Sequence, residues 1–185
     1  FYQVFDQVMT DLDKANREEN LQNRFKTNDG QIIYPKRFPL FSNLNGLSRK
    51  SLALGLGPVA LLYYQDQTEI ITKTKLTLKL FRYTLAAKQL ADDARDWFSD
   101  LANGIITAAN LPFLKAAQKR NLTLDLKRQS EIAYLMFTTE AAKKITEDLS
   151  KLCRLARQGA AILGLKSDCR LLTERLGPIE QGLQE

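Results

Sequence analysis

The feature that most constrains the fold is a helical spacing of apolar residues, which recurs through almost the whole chain. In the first segment the apolar positions are Phe1, Phe5, Val8, Leu12 and Ala15. Intervals of three and four residues mark one face of an α-helix. This spacing predicts helices over about 1–22, 47–65, 68–103, 110–120, 128–158 and 160–182, with breaks near Gly159 and Gly177–Pro178. Strand-like alternation is confined to a few residues near 32 and 123, so we predict an all-α protein, a bundle of long helices.

Length and composition limit this bundle to one domain over residues 1–185. A chain of 185 residues with 44% apolar content can form one sizeable core but not two comfortable ones. Residues 23–46 hold two glycines, two prolines and four asparagines. We therefore predict a long loop there, with a short extended piece at QIIY. A loop of this length inside a compact domain is uncommon unless it has a function.

Particular residues mark where two of the predicted helices bend, begin or end. Pro58 removes a backbone donor and predicts a kink in the second helix. Thr68 is suited to cap the start of the third helix, and Asn103 followed by Gly104 is suited to stop it with a left-handed residue. These signals predict one uninterrupted helix of about 35 residues between them.

The composition removes several classes of chemistry. The chain contains no histidine, so it lacks Ser-His and Cys-His nucleophile systems and histidine-ligated zinc sites. Any bound metal would have oxygen ligands, which magnesium, manganese and calcium prefer. The two cysteines, Cys153 and Cys169, show no metal-ligand spacing and fit a reducing compartment. We therefore expect a cytoplasmic protein.

The charge of the chain favours an anionic partner. A net charge of +6 and a pI near 9.3 suit nucleic acid, a lipid headgroup or a diphosphate. The basic run at 115–120 is short and has no interleaved aromatic residues, so nucleic acid is not the expected partner. The longest apolar stretch, 52–64, is shorter than the roughly 20 residues of a membrane span. We predict no transmembrane helix and leave open a peripheral contact with a membrane.

An acidic face distinguishes the third predicted helix. At about 100° per residue, one sector of roughly 100° contains Gln89, Asp92, Asp93, Asp96 and Asp100. Like charges one turn apart repel, aspartate is a poor residue for a helix interior, and the C-terminal end of a helix disfavours anions. The cation in this sector is Arg82, well upstream. A bound divalent metal would convert these costs into ligand contributions, and a solvated acidic face is the alternative that periodicity leaves open.

The residues of this helix resemble motifs of one superfamily. The run QLADDARD fits Q-x-x-D-D-x-x-D and resembles the second aspartate-rich motif of trans-isoprenyl diphosphate synthases. The longer run QLADDARDWFSDLANG fits Q-L-x-x-x-x-R-D-x-x-x-D-x-x-x-G and resembles the second motif of squalene and phytoene synthases. Both families have the all-α class I isoprenoid (terpenoid) synthase fold. In that fold two facing aspartate-rich helices hold magnesium ions, which bind a prenyl diphosphate.

The resemblance implies roles for individual residues. The implied magnesium ligands are Asp92, Asp93, Asp96 and Asp100, of which Asp96 is common to both motifs. The resemblance implies a diphosphate contact for Arg95. From their positions beside or further up the acidic face, we expect Gln89, Lys88 and Arg82 to be further substrate or diphosphate contacts. The implied cofactor is a cluster of three magnesium ions, of which this chain shows one half. The first aspartate-rich motif is not among these residues. Because the chain begins with Phe1, we expect either that the motif lies on preceding helices or that the protein is a degenerate member that binds its ligand without turnover.

The function implied by the resemblance is that of a magnesium-dependent isoprenoid synthase. Such a prenyltransferase or terpenoid synthase would act on a prenyl diphosphate, by condensation or by cyclisation. The competing hypothesis is a non-catalytic helical scaffold whose acidic face meets a basic partner. The two hypotheses predict different responses to magnesium and diphosphate. A homodimer is compatible with either.

Overall fold

The computed structural model describes residues 1–21, 23–39, 46–65 and 69–184, and most of them are helical. The α-helices, in chain order, are α1 (Tyr2–Leu21), α2 (Leu56–Gln65), α3 (Ile70–Arg95), α4 (Trp97–Ala102), α5 (Leu111–Lys119), α6 (Gln129–Thr138), α7 (Glu140–Ile162), α8 (Arg170–Arg175) and α9 (Gly177–Gly182). A 3₁₀ helix, Leu52–Gly55, precedes α2, and two short strands, β1 (Lys26–Asn28) and β2 (Gln31–Ile33), form an antiparallel hairpin. The all-α prediction is confirmed. Within the described ranges, no helix is both long and apolar enough to cross a bilayer.

The centre of the fold is the packing of α3 against α7. Leu80 of α3 lies beside Gly159 near the end of α7, where a methyl group added to the glycine would meet Leu80 Cα at 3.7 Å. At the other end, the Trp97 ring lies 6.5 Å, between centroids, from the Phe137 ring just before α7 begins. The two helices are therefore antiparallel. Small buried side chains allow their axes to approach closely, and these are Ala86, Ala87, Ala156 and Ala160.

Shorter elements attach to this pair at both ends. Val8 of α1 packs with Leu52 and Leu56 in a small separate cluster, which holds α1 against the start of α2. The guanidinium of Arg157 in α7 donates to Glu180 of α9, with its Nε 2.6 Å from Oε1. These contacts place α1 and α2 on one side of the central pair and fasten α9 to α7.

The β-hairpin joins two distant parts of the chain. The Phe25 N–H donates to the Gly104 carbonyl at 3.0 Å, and the Ile32 N–H donates to the Leu124 carbonyl at 2.9 Å. The extended piece predicted near residue 32 is thus confirmed as β2, whereas the strand-like residues near 123 form no strand and the chain there has an isolated bridge between Gln31 and Asp125. Because Gly104 directly follows α4, the hairpin also anchors the end of the acidic helix.

The helix predicted from 68 to 103 is interrupted at Asp96. Its backbone angles there, φ −95° and ψ 9°, separate α3 from α4. The hydrogen bonds nevertheless continue, since the Asp96 N–H donates to the Asp92 carbonyl at 3.0 Å and the Asp100 N–H to the Asp96 carbonyl at 2.9 Å. An aspartate between two further aspartates gives the helix little reason to stay regular at this point. The result is a bend, which the periodicity did not reveal.

The predicted stop at Gly104 is confirmed, while the predicted cap Thr68 lies outside the described residues. Gly104 adopts a left-handed φ of +68°. Its N–H donates to the Leu101 carbonyl at 3.0 Å, and the Ile105 N–H donates to the Asp100 carbonyl at 2.8 Å. This pair of bonds is the Schellman arrangement at a helix C-terminus.

Three predictions for the second half of the chain were wrong. The helix predicted over 128–158 is divided at Thr139, whose extended ψ of 165° and side-chain bond from the Ala141 N–H (3.4 Å) start α7 afresh. Gly159 does not end a helix as predicted, because it lies inside α7 at the contact with Leu80. The helix predicted over 160–182 is also absent, since Gly164 turns the chain with φ +70° before α8 and α9.

The helix predicted over 47–65 is shorter than expected, because its first part is a turn and a 3₁₀ helix and only α2 is α-helical. The kink predicted at Pro58 was wrong, since Pro58 lies in the first turn of α2, where its missing donor costs no helical hydrogen bond. The predicted break near Gly177–Pro178 is confirmed by the boundary between α8 and α9.

A pair of glycine substitutions tests how the hairpin holds the end of α4. At both Gly104 and Gly164 alanine would have to adopt a positive φ, which costs about 1–2 kcal/mol. At Gly104 the new methyl group would in addition meet the Phe25 carbonyl oxygen at 2.9 Å, whereas at Gly164 it would meet nothing within 4 Å. In urea unfolding we expect Gly104→Ala to lower the free energy of unfolding by at least about 1 kcal/mol more than Gly164→Ala does. Equal losses would contradict the close approach of the hairpin.

Candidate functional site

The bend between α3 and α4 distributes the acidic side chains over different environments. Asp93 is buried, with 8% of its surface exposed. Asp92 and Asp100 are half-buried, and Asp96 is exposed at the bend. Leu90, three residues before Asp93, and Leu101 on α4 are buried in the core. The acidic side chains of the predicted sector therefore differ in exposure, from the buried carboxyl of Asp93 to the exposed carboxyl of Asp96.

Asp93 is a buried carboxylate held by two donors. The Gln89 amide Nε2 donates to its Oδ1 at 2.7 Å, and the backbone N–H of Ala108 provides a second hydrogen bond. The pKa of Asp93 is raised to about 6, chiefly by burial and also by the charges of Asp100 and Asp92, while the hydrogen bonds from Gln89 and Ala108 act in the opposite direction. The fold thus keeps a costly carboxylate next to other carboxylates.

The charge of Asp92 is compensated from its own helix. The Lys88 Nζ lies 2.8 Å from its Oδ2, and the Arg95 Nη1 lies 3.5 Å from its Oδ1. Arg82 was predicted to be the cation of the acidic sector. In the structure Lys88 and Arg95, which lie beside the sector, reach into it instead. Part of the predicted repulsion is therefore relieved by ordinary surface ion pairs, each of which contributes little to stability.

Asp96 and Asp100 retain their mutual repulsion. They lie one helical turn apart, and within the described parts of the chain no lysine or arginine forms an ion pair with either. Burial raises the pKa of Asp100, and the neighbouring charge of Asp96 raises it further. Of the acidic residues in the motif, these two are the most available to a cation from solution.

Lys50 is a residue of this region that the sequence analysis did not select. It belongs to the turn before the 3₁₀ helix, and its charge interacts with that of Asp93. Burial lowers the pKa of Lys50, and Asp93 opposes that shift. The neighbouring Arg49 points elsewhere, with its Nη1 3.4 Å from Glu18 of α1. The sequence could have drawn attention to Lys50, because Arg49 and Lys50 are two adjacent cations directly before fifteen residues, 51–65, that carry no charge.

Arg82 is not brought to the aspartates. It lies in α3, ten residues before Asp92, and a rise of about 1.5 Å per residue separates their Cα atoms by about 15 Å. Of the predicted substrate contacts, Gln89, Lys88 and Arg95 lie among the acidic side chains. Gln89 holds Asp93, whereas the two cations hold Asp92.

Whether these residues suit a divalent metal depends on how many protein ligands that metal takes. Among the described residues no group of three or more Asp, Glu or Cys side chains is placed to hold a metal ion. A site built from protein ligands alone, as calcium often has, is thus not preassembled there. Magnesium differs, because it usually takes one or two carboxylates together with substrate phosphates and water. The pair Asp96 and Asp100 supplies ligands of that kind.

Comparisons of the chain with protein-family models, with curated proteins and with solved structures returned no match. The resemblance to isoprenoid synthases accordingly rests on residues 89–104. The interaction of the charge of Asp93 with that of Lys50 is a separate observation, because Lys50 lies outside that motif.

The buried carboxyl of Asp93 predicts a specific dependence of stability on pH. Since the folded protein binds this proton more tightly than the unfolded chain, the stability linked to Asp93 is greatest below about pH 4 and is lost as the pH rises through about 6. Relative to wild type, Asp93→Asn should therefore gain about 2–3 kcal/mol in free energy of unfolding between pH 4 and pH 8. Urea unfolding at a series of pH values, without divalent cations, measures this difference.

The matched control is Asp13→Asn, which removes an exposed carboxylate from α1. Its stability difference from wild type should stay nearly constant over the same pH range. A constant difference for Asp93→Asn as well would show that Asp93 is not a strained buried acid.

Proposed function

We propose that this chain is an isoprenoid synthase domain of the class I type, which binds a prenyl diphosphate together with magnesium at the bend between α3 and α4. The reaction class is prenyl transfer or terpenoid synthesis, by condensation or cyclisation. The observation that carries the proposal is the Asp96–Asp100 couple on the motif helix, for which no ion pair is found among the described residues. Lys50, whose charge interacts with that of Asp93, comes from a separate element. The all-α fold is compatible with the proposal.

The charges of the region suit a ligand that contains both a divalent cation and a diphosphate. Asp96 and Asp100 would bind the cation, and Lys50 would contact phosphate oxygens next to it. When bound, magnesium would supply the positive charge that stabilises a leaving diphosphate. A ligand with both signs of charge would relieve the repulsion between the two aspartates and would place phosphate oxygens near a lysine that the fold holds partly out of water.

The other motif residues would position these groups. Gln89 fixes the carboxylate of Asp93 at 2.7 Å, and Asp93 would keep the ammonium group of Lys50 near the site. The bond from the Ile105 N–H holds the carbonyl of Asp100 at the end of α4. Arg95 and Lys88 would exchange their contacts with Asp92 for contacts with the diphosphate.

The alternative function is a helical scaffold whose acidic face meets a basic partner. The ion pairs of Asp92 with Lys88 and Arg95 favour it, because they are of the kind found on ordinary surface helices. A scaffold has no reason to require magnesium and diphosphate together. The response to these two ligands therefore separates the two functions.

Thermal unfolding with magnesium, with pyrophosphate and with both tests the proposal. We expect little change with either alone and a joint stabilisation of about 2.7 kcal/mol at one hundred times the dissociation constant. For a domain of this size that corresponds to a rise in Tm of about 5–10 °C. Asp96→Ala and Asp100→Asn should each remove most of the rise, while Asp13→Asn on α1 should retain it. No joint effect in the full-length protein would refute the proposal and favour the scaffold.

A second substitution tests the contribution of Lys50. Lys50→Gln should weaken the joint binding of magnesium and pyrophosphate by roughly tenfold or more, because a charged hydrogen bond to phosphate is lost. Arg49→Gln is the matched control, since Arg49 is the neighbouring cation and pairs with Glu18 of α1. Titration calorimetry measures both affinities. Equal affinities for Lys50→Gln and wild type would remove Lys50 from the site.

A further inference from the structure

An exposed apolar stripe runs along the 3₁₀ helix and α2. Leu54, Leu61 and Tyr64 are 64%, 60% and 89% exposed. With Gly57 they follow one another at intervals of three and four residues, so they lie on one face. A methyl group built onto Gly57 would meet no atom within 4 Å. The opposite face, with Leu52, Leu56 and Val59, is buried in the fold. Large apolar side chains grouped in this way mark a surface that contacts something else.

The start of α3 extends this surface. Ile71 is 65% exposed and precedes Leu78 by seven residues, two turns, so both lie on one side of α3. That side meets the 3₁₀ helix, because Leu78 and Phe81 pack against Gly55. Ile71 therefore emerges beside α2. Lys75 and Lys79 are exposed one and two turns further along α3.

The exposed charges that the first part of α3 places beside this surface are those of Lys75 and Lys79, together with Glu69 at the start of the helix. The stripe on α2 itself carries no charged side chain. An isologous contact with a second copy would bring the two lysines toward their counterparts. An anionic partner with an apolar interior would instead satisfy both the stripe and the lysines.

We propose that Leu54, Leu61, Tyr64 and Ile71, with Lys75 and Lys79, form a docking surface for an anionic lipid bilayer. The leucines, the isoleucine and the tyrosine ring would enter the interfacial region, where amphipathic aromatic rings are stable. The lysines would lie at the level of the anionic headgroups. This surface does not depend on the proposed enzymatic function, since it uses none of the residues at the α3–α4 bend.

Vesicle co-sedimentation tests the docking surface. We expect the protein to bind vesicles of phosphatidylcholine with phosphatidylglycerol, to bind those of phosphatidylcholine alone far less, and to be released by high salt. Lys75→Gln together with Lys79→Gln should lower the partition coefficient about 30-fold, roughly fivefold for each charge. Tyr64→Gln should lower it roughly tenfold.

Matched controls come from other helices. Tyr134→Gln removes a tyrosine that is 70% exposed on α6, a helix of the same length as α2. Lys151→Gln with Arg154→Gln removes two exposed charges from α7. These variants should bind vesicles like wild type. No binding to anionic vesicles, equal losses in the controls, or a dimer in solution that Tyr64→Gln dissociates would each overturn the proposal.

Discussion

The antiparallel packing of α3 against α7 is the interaction on which the rest of the structure depends. Leu80 fits beside Gly159, and four buried alanines bring the helices close enough to bury both over most of their length. This contact fixes which side of α3 faces inward. It follows that Leu90 enters the core and that Asp93, three residues later, is drawn from the solvent. The burial and raised pKa of Asp93 are thus a consequence of the close packing of α3 against the core.

The acidic residues differ in how the fold treats their charge. Asp92 is neutralised by neighbouring cations, Asp93 is buried with a raised pKa, and Asp96 and Asp100 repel one another. A fold selected for stability alone would have little reason to retain Asp93, Asp96 and Asp100, because apolar or amide side chains would remove the cost of burial and of charge repulsion. Such a cost is common at sites that bind a ligand of opposite charge. The hydrogen bond from the Phe25 N–H to the Gly104 carbonyl holds the end of α4 in place, so that Asp96 and Asp100 stay close despite their like charges.

The sequence predicted the features that depend on local periodicity and on turn residues. The helical class, α1, the Gly104 stop and the extended piece near residue 32 all follow from short-range signals. The bend at Asp96 and the division at Thr139 did not, because each depends on how one residue balances side-chain and backbone hydrogen bonds. Gly159 was misread because its role is a contact with Leu80, some eighty residues away. For the same reason Lys50 was missed, since its position near Asp93 arises from tertiary packing.

The central claim is that Asp96 and Asp100 bind a divalent cation and that Lys50 contacts the diphosphate bound to it. Its most direct test is a crystal structure grown with manganese and pyrophosphate, in which anomalous scattering locates the metal. The account predicts a metal peak about 2.1 Å from a carboxylate oxygen of Asp96 or Asp100, with a phosphate oxygen within about 3 Å of the Lys50 Nζ. A metal–pyrophosphate complex bound elsewhere on the protein, with these three side chains free of it, would contradict the account.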